Sequence, residues 1–156
     1  VSTETDKLTL LVPVDFSEES RRALAWAFDY AQRAPCDVHL MHVFEQRVAA
    51  ADFSSGHEAV DDEIADVERA AREELDQMAP SEAERQAVGH ISRHFTNGSP
   101  AEEIVNTAGS IGADLIVVGT HGRTGFRRAV IGSVAERVVR NAPCTVVCVK
   151  QTTSNG

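Results

Sequence analysis

Residues 8–14, Leu-Thr-Leu-Leu-Val-Pro-Val, form a near-continuous apolar run of strand length, and no other feature narrows the possible folds as far. A strand apolar at successive positions must be covered on both faces, as strands inside a parallel sheet are. The next segments of the chain fit that demand. Residues 18–34 carry Leu24, Ala27, Phe28 and Ala31 as one helical stripe ended by Pro35, with Trp26 and Tyr30 extending the face as packing. Residues 37–44 make a second apolar strand, and residues 45–56, without a clear period, a loop. Val60, Ile64, Val67, Ala71, Leu75 and Met78 then recur at steps of 4, 3, 4, 4 and 3, which predicts a long amphipathic helix over residues 57–79, closed by Pro80.

Residues 88–96 alternate weakly and are polar enough for an edge strand, after which Asn97-Gly98 turns the chain. Ser99-Pro100-Ala101-Glu102 combines an N-cap serine, a proline at the first helical position and a capping-box glutamate. The helix it starts buries Ile104, Ala108 and Ile111 and is released by Gly112. Residues 114–118 form a fourth strand, 134–141 a fourth helix and 144–149 a fifth strand, with a polar, disordered tail at 151–156. Strand–helix alternation of this kind implies an α/β domain over residues 1–150: an open parallel sheet, helices on both faces, right-handed crossovers. A chain of this length buries roughly 70% of its unfolded surface. Ligands of such sheets bind outside the carboxyl ends of the strands, where strand order reverses.

The net charge is −9, and residues 52–86 account for all of it, so the acidity belongs to one solvated helix face. That balance speaks against nonspecific nucleic-acid binding, which needs a basic footprint. No apolar run approaches the roughly 18 residues of a membrane span and no signal peptide is visible, so the reading is cytoplasmic, without membrane insertion. Residues 119–140 are the opposite of the acidic segment: Arg123, Arg127, Arg128, Arg137 and Arg140 stand against Glu136 alone. Cys36, Cys144 and Cys148 form no disulfide framework and read as small buried hydrophobes. His90 and His94, about 13 Å apart if both lie in a strand, do not make a metal site.

Familiar sites can be excluded. The chain has no G-x-x-x-x-G-K-[ST], the first strand leads into Asp15-Phe16-Ser17 rather than G-x-G-x-x-G, and Ser133 is not in a G-x-S-x-G elbow. What remains is G-x2-G-x9-G-S, from Gly119 through Gly122 to Gly132-Ser133, between a strand and a helix. Glycines admit a phosphate to the backbone, and the first amides of the helix can donate to it. Ser133-Val134-Ala135-Glu136 is itself a capping box, so Ser133 can equally cap the helix, with Gly132 present for its backbone angles. Gly119, Gly122 and the arginines have no place in that alternative. Asp15 likewise reads either as the N-cap of the first helix or as a strand-end carboxylate that accepts from ribose hydroxyls.

Over nearly its whole length the sequence resembles the universal stress protein family. The resemblance rests on Val12-Pro-Val-Asp15-Phe-Ser, His42-Val43, Gly98-Ser-Pro-Ala-Glu102, Ala113-Asp-Leu-Ile-Val-Val-Gly119-Thr-His-Gly122-Arg-Thr-Gly, and Ile131-Gly-Ser through Cys144. The complete G-x2-G-x9-G-[ST] motif is similar to that of the nucleotide-binding branch. The resemblance implies a Rossmann-like sheet of strand order 3-2-1-4-5 with ATP, or AMP or ADP in its place, between the ends of strands one and four. Pro13, Val14 and Val43 would line the adenine and Asp15 would hold the ribose. Gly119, Gly122, Gly132, Ser133 and Val134 would hold the phosphates, with Val118 and His121 alongside and magnesium or manganese as a companion. It also implies a homodimer through residues 144–150, an apolar edge guarded only by Lys150. The leading function is an ATP-binding regulatory, stress-response protein read by a protein partner. The alternatives are a slow ATPase acting as a timed switch, with His121 nearest the chemistry, and a nucleotide-free dimeric module.

Overall fold

A computed structural model of the chain describes residues 7–46, 57–78, 80–121 and 131–151, with backbone alone at 57–60. Strand β1 (Leu8–Pro13) is followed by α1 (Glu18–Ala31), β2 (Cys36–Phe44), α2 (His57–Gln77), α3 (Glu82–Ala87), β3 (Ile91–Asn97), α4 (Pro100–Ile111), β4 (Leu115–Gly119), α5 (Ser133–Asn141) and β5 (Thr145–Val149). The strands make one parallel sheet in the order β3-β2-β1-β4-β5, the order that the family resemblance implies. Most of the expected loop, 47–56, and most of the expected tail, 152–156, lie outside the described residues.

Leu10, Leu11 and Val12 of the central strand have no exposed surface. Their side chains alternate between two cores, as the pleat requires. Leu10 and Val12 pack with Ala23, Leu24, Ala27 and Phe28 of α1 and with Leu75 and Met78 at the end of α2. Leu11 joins Met41 and Ile116 against Ala101, Ile104 and Ala108 of α4 and Ala135 and Val138 of α5. Trp26 stacks on Tyr30 at 5.3 Å beside the first core, as packing. Arg93 of β3 donates to the carbonyls of Leu75 and Met78, which ties the end of α2 to the sheet.

Four local expectations are corrected. Helix α1 ends at Ala31 rather than at residue 34, because the residues leading into Pro35 turn back with Arg33 and Ala34 donating to Tyr30. Residues 88–90 are not strand, and the short helix α3 precedes β3. A capping box marks α3: Ser81 Oγ accepts from the Glu84 amide and the Glu84 carboxylate from the Ser81 amide. No residue of α3 is buried, so no apolar period announces it. Ser99 occupies the N-cap of α4 with Pro100 after it but makes no side-chain capping bond. Glu102 turns instead to Arg137 of α5 at 3.4 Å. Val67 is 42% exposed although it belongs to the predicted stripe. Three residues past Ile64 is 300° of helix, so Val67 stands about 60° off the line through Ile64 and Leu75.

Adjacent strands also bring together a pair that spacing within one strand does not suggest. His39 of β2 and His94 of β3 stack with centroids 5.1 Å apart, and His39 Nδ1 lies 2.8 Å from His94 Nε2. Burial, then the neighbouring His94, hold the His39 imidazole below its usual value of 6.5, against an upward pull from Asp37 and with a still smaller downward one from His90. A lowered histidine pKa means that the unfolded chain binds more protons, so stability is full above the usual imidazole pKa and falls as pH drops below it. Urea unfolding at pH 7.5 and 5.5 is therefore expected to show a smaller acid loss in His39→Gln than in the wild type. Equal losses would contradict this.

Candidate functional site

The sheet opens where its order reverses. The described pairing between β1 and β4 joins Leu10 to Leu115 and Leu11 to Ile116, whereas both strands run on, to Pro13 and to Gly119. Past that point the central strand keeps only its other neighbour, through Pro13 beside Met41 and the Val14 amide donating to Met41 at 2.7 Å. A crevice thus lies at the carboxyl end of the sheet between Val14-Asp15 and Gly119-Thr120, the place where doubly wound folds receive ligands.

One wall is the turn from β1 into α1. Pro13 is half-buried and Val14 buried beneath it. Asp15 is half-buried and does not cap α1. Ser17 is the N-cap, its Oγ accepting from the Ser20 amide, and the Asp15 carboxylate accepts from the Ser17 amide at 3.0 Å and from the Ser17 hydroxyl. Of the two readings of Asp15, the helix cap is excluded. Val43 sits half-buried in β2 against the second core.

The other wall is the end of β4 and the start of α5. Val118 is buried, and Gly119 closes the strand. Thr120, which the glycine spacing does not mark, is 1% exposed and is the hinge of this wall. Its amide donates to Val149 of β5 and its carbonyl accepts from the Gly132 amide, so the two ends of the intervening segment are joined at their base. A lone threonine after a strand carries no periodic or motif signal, which is why only the fold reveals it. His121 is half-buried, with Nδ1 3.1 Å from Thr120 Oγ1. Gly122, Arg123, Arg127 and Arg128 lie outside the described residues.

The capping-box alternative at Ser133 fails. Gly132 is the N-cap, and Ser133 is already the first residue of the helix, exposed and making no capping bond. Gly132 has φ −71°, a value any residue adopts, so its backbone angles do not require glycine. Val134 is exposed beside them, at 39%. Among the described residues the leading amides of α5 have no side-chain cap, as at an anion-accepting helix end. The basic character of the window is weaker than the residue count suggested: Arg137 pairs with Glu102 and Arg140 with Glu136 at 2.8 Å.

Gly119 has a packing reason of its own. A Cβ there would stand 2.8 Å from the carbonyl carbon and oxygen of Glu19, backbone atoms in the first turn of α1. The absent side chain lets α1 lie against β4. Cys36 is buried and Cys144 and Cys148 are half-buried; burial pushes each thiol upward, with Asp37 adding to the effect at Cys36 and Asp114 at Cys144. Among the described residues no group of three His, Cys, Asp or Glu could hold a metal ion, and no helix is long and apolar enough to cross a membrane. Cavities of about 270 and 390 Å3 open elsewhere, near His90 and Arg93 and between α1 and α2, and neither joins a carboxylate to a helix N-terminus facing it.

A doubly wound parallel sheet of order β3-β2-β1-β4-β5 with helices around it defines a Rossmann-like domain. Residues 8–150 match the Universal stress protein family, and the chain belongs to it. A universal stress protein of Methanocaldococcus jannaschii, MJ0531, is 32% identical over 143 residues, spanning 91% of this chain and 81% of that protein. The solved structure of MJ0577, another universal stress protein of that organism, superposes with a TM-score of 0.77 at 28% identity over 94% of this chain and 97% of that one. Two further solved universal stress proteins share the fold with TM-scores of 0.60 over 94% of this chain and nearly all of theirs. One is in complex with cAMP (22% identity) and one, from Archaeoglobus fulgidus, with dAMP (23%).

Because backbone rather than a pliable side chain faces Gly119, Gly119→Ala must push α1 from β4. A loss of about 1–3 kcal/mol is expected from this overpacking. Chemical denaturation checks it, and an unchanged midpoint would show that the approach is not tight.

Proposed function

We propose that this protein is a cytoplasmic regulatory protein that binds an adenine nucleotide, ATP or in its place AMP or ADP, works as a homodimer, and is read by a protein partner in a stress response. The observation that carries the reading is the parting of β1 from β4 at the sheet's reversal point, with Asp15 following β1 and the start of α5 joined to the end of β4 through Thr120. A nucleotide spans that kind of gap. Pro13, Val14 and Val43 offer it an apolar wall, and the Asp15 carboxylate can accept from sugar hydroxyls. The amides of Ser133 and Val134 can donate to phosphate oxygens, with Gly132 alongside them. Val118, Gly119, His121 and Gly122 complete the phosphate side. The cAMP and dAMP complexes of proteins sharing this fold make adenine the first base to test.

Magnesium or manganese would be held chiefly by the phosphates and water, because these ions need few protein ligands beside a nucleotide. In this reading the bound nucleotide serves as a signal rather than as fuel. The dimer is proposed through β5, a terminal strand of the sheet whose Val146, Val147, Cys148 and Val149 are half-buried.

Mass spectrometry of the denatured purified protein is expected to release an adenine nucleotide, and Gly132→Val to lower its occupancy at least tenfold by blocking the approach to α5. A protein that carries none and takes up none at millimolar ATP with magnesium would overturn the reading. Sedimentation at micromolar concentration should give the dimer mass; a monomer would refute the β5 pairing.

A further inference from the structure

Backbone pairing holds the crevice wall as far as Val14, and a buried imidazole takes over there. His42 of β2 is 6% exposed, and its Nδ1 lies 2.8 Å from the Val14 carbonyl oxygen. A carbonyl oxygen only accepts, so Nδ1 carries the proton and the tautomer is determined. With Pro13 beside Met41 and the Val14 amide donating to Met41, a continued parallel ladder would give the Val14 carbonyl the amide of Val43. The imidazole is the donor placed there.

The same ring supports the next part of the turn. It stacks on Phe16 with centroids 4.5 Å apart and planes at 28°, and Phe95 of β3 leans on it at 5.5 Å. Among the described residues Phe16 is the non-glycine residue with positive φ, 66°. An L-residue with a large side chain keeps that conformation only where its surroundings enforce it. Asp15 lies between the two anchored residues, its carboxylate accepting from the Ser17 amide.

We propose that His42 is a positioning residue of the ligand site: it clamps Val14 by a hydrogen bond and Phe16 by stacking, and so sets the direction in which Asp15 presents its carboxylate to a nucleotide sugar. The proposal rests on the nucleotide reading for its ligand, but the clamp itself can be tested without one.

His42→Phe keeps a ring and removes the donor, whereas His42→Asn keeps an N–H close to the position of Nδ1 and removes most of the stack. Hydrogen exchange of residues 15–17 in the nucleotide-free protein reads the clamp, and calorimetric titration with ATP and magnesium reads its consequence. His42→Phe is expected to speed exchange there at least tenfold and to weaken ATP about three- to tenfold, the effect of one buried hydrogen bond. His42→Asn is expected to recover part of both. Unchanged exchange in His42→Phe overturns the clamp, and faster exchange with unchanged ATP affinity overturns its role in the site. If the wild type binds no ATP, the nucleotide reading and the ligand role both fail, and exchange alone decides the clamp. Should His42→Phe not fold, Phe16→Leu tests the stacking half, and unchanged exchange at 15–17 overturns that half.

Discussion

Burial of β1 on both faces is the constraint on which the rest of the molecule depends. Leu10, Leu11 and Val12 leave no surface to water, so helices must cover the sheet above and below. A parallel strand cannot reach its neighbour through a tight turn, and each crossover supplies one of those helices. With β2 and β3 laid to one side of β1 and β4 and β5 to the other, the chain reverses beside β1. The crevice is the geometric consequence of that reversal. Apolar burial therefore fixes where the sheet reverses before any polar group is considered.

The polar groups around the crevice are ordered by backbone hydrogen bonds more than by salt bridges. Thr120 links β5 to the Gly132 amide, Ser17 caps α1 and binds Asp15, and His42 donates to Val14. The ion pairs in this region, Arg137 with Glu102 and Arg140 with Glu136, lie on exposed helix surface, where such pairs contribute little. A site built from backbone amides has its donors in place without a long side chain to immobilise, which favours an anion at low entropic cost.

Much of this was legible in the residues. Apolar runs, and weak alternation at β3, located every strand within a few residues, and Leu24, Ala27, Phe28 and Ala31 formed the buried stripe their spacing describes. Helix α3 escaped because it buries nothing, leaving only its capping box as a sign. The capping chemistry at Ser99 misled for the converse reason: the local pattern is complete, but Glu102 found a cation on a neighbouring helix. Ser133 misled by one position, since the helix begins at it rather than after it. Local signals compete with tertiary partners, and residue order does not record which partners arrive.

The sequence by itself determined the class of fold, the strands and the glycine-bearing segment before the last helix, because hydrophobic period and glycine placement are local properties. Only the tertiary structure decided that Gly119 is needed for the approach of α1, that His39 meets His94, and that Thr120 and His42 hold the two walls of the crevice. Each of these is a contact between segments far apart in the chain. Such contacts exist only once burial of β1 has brought the segments together.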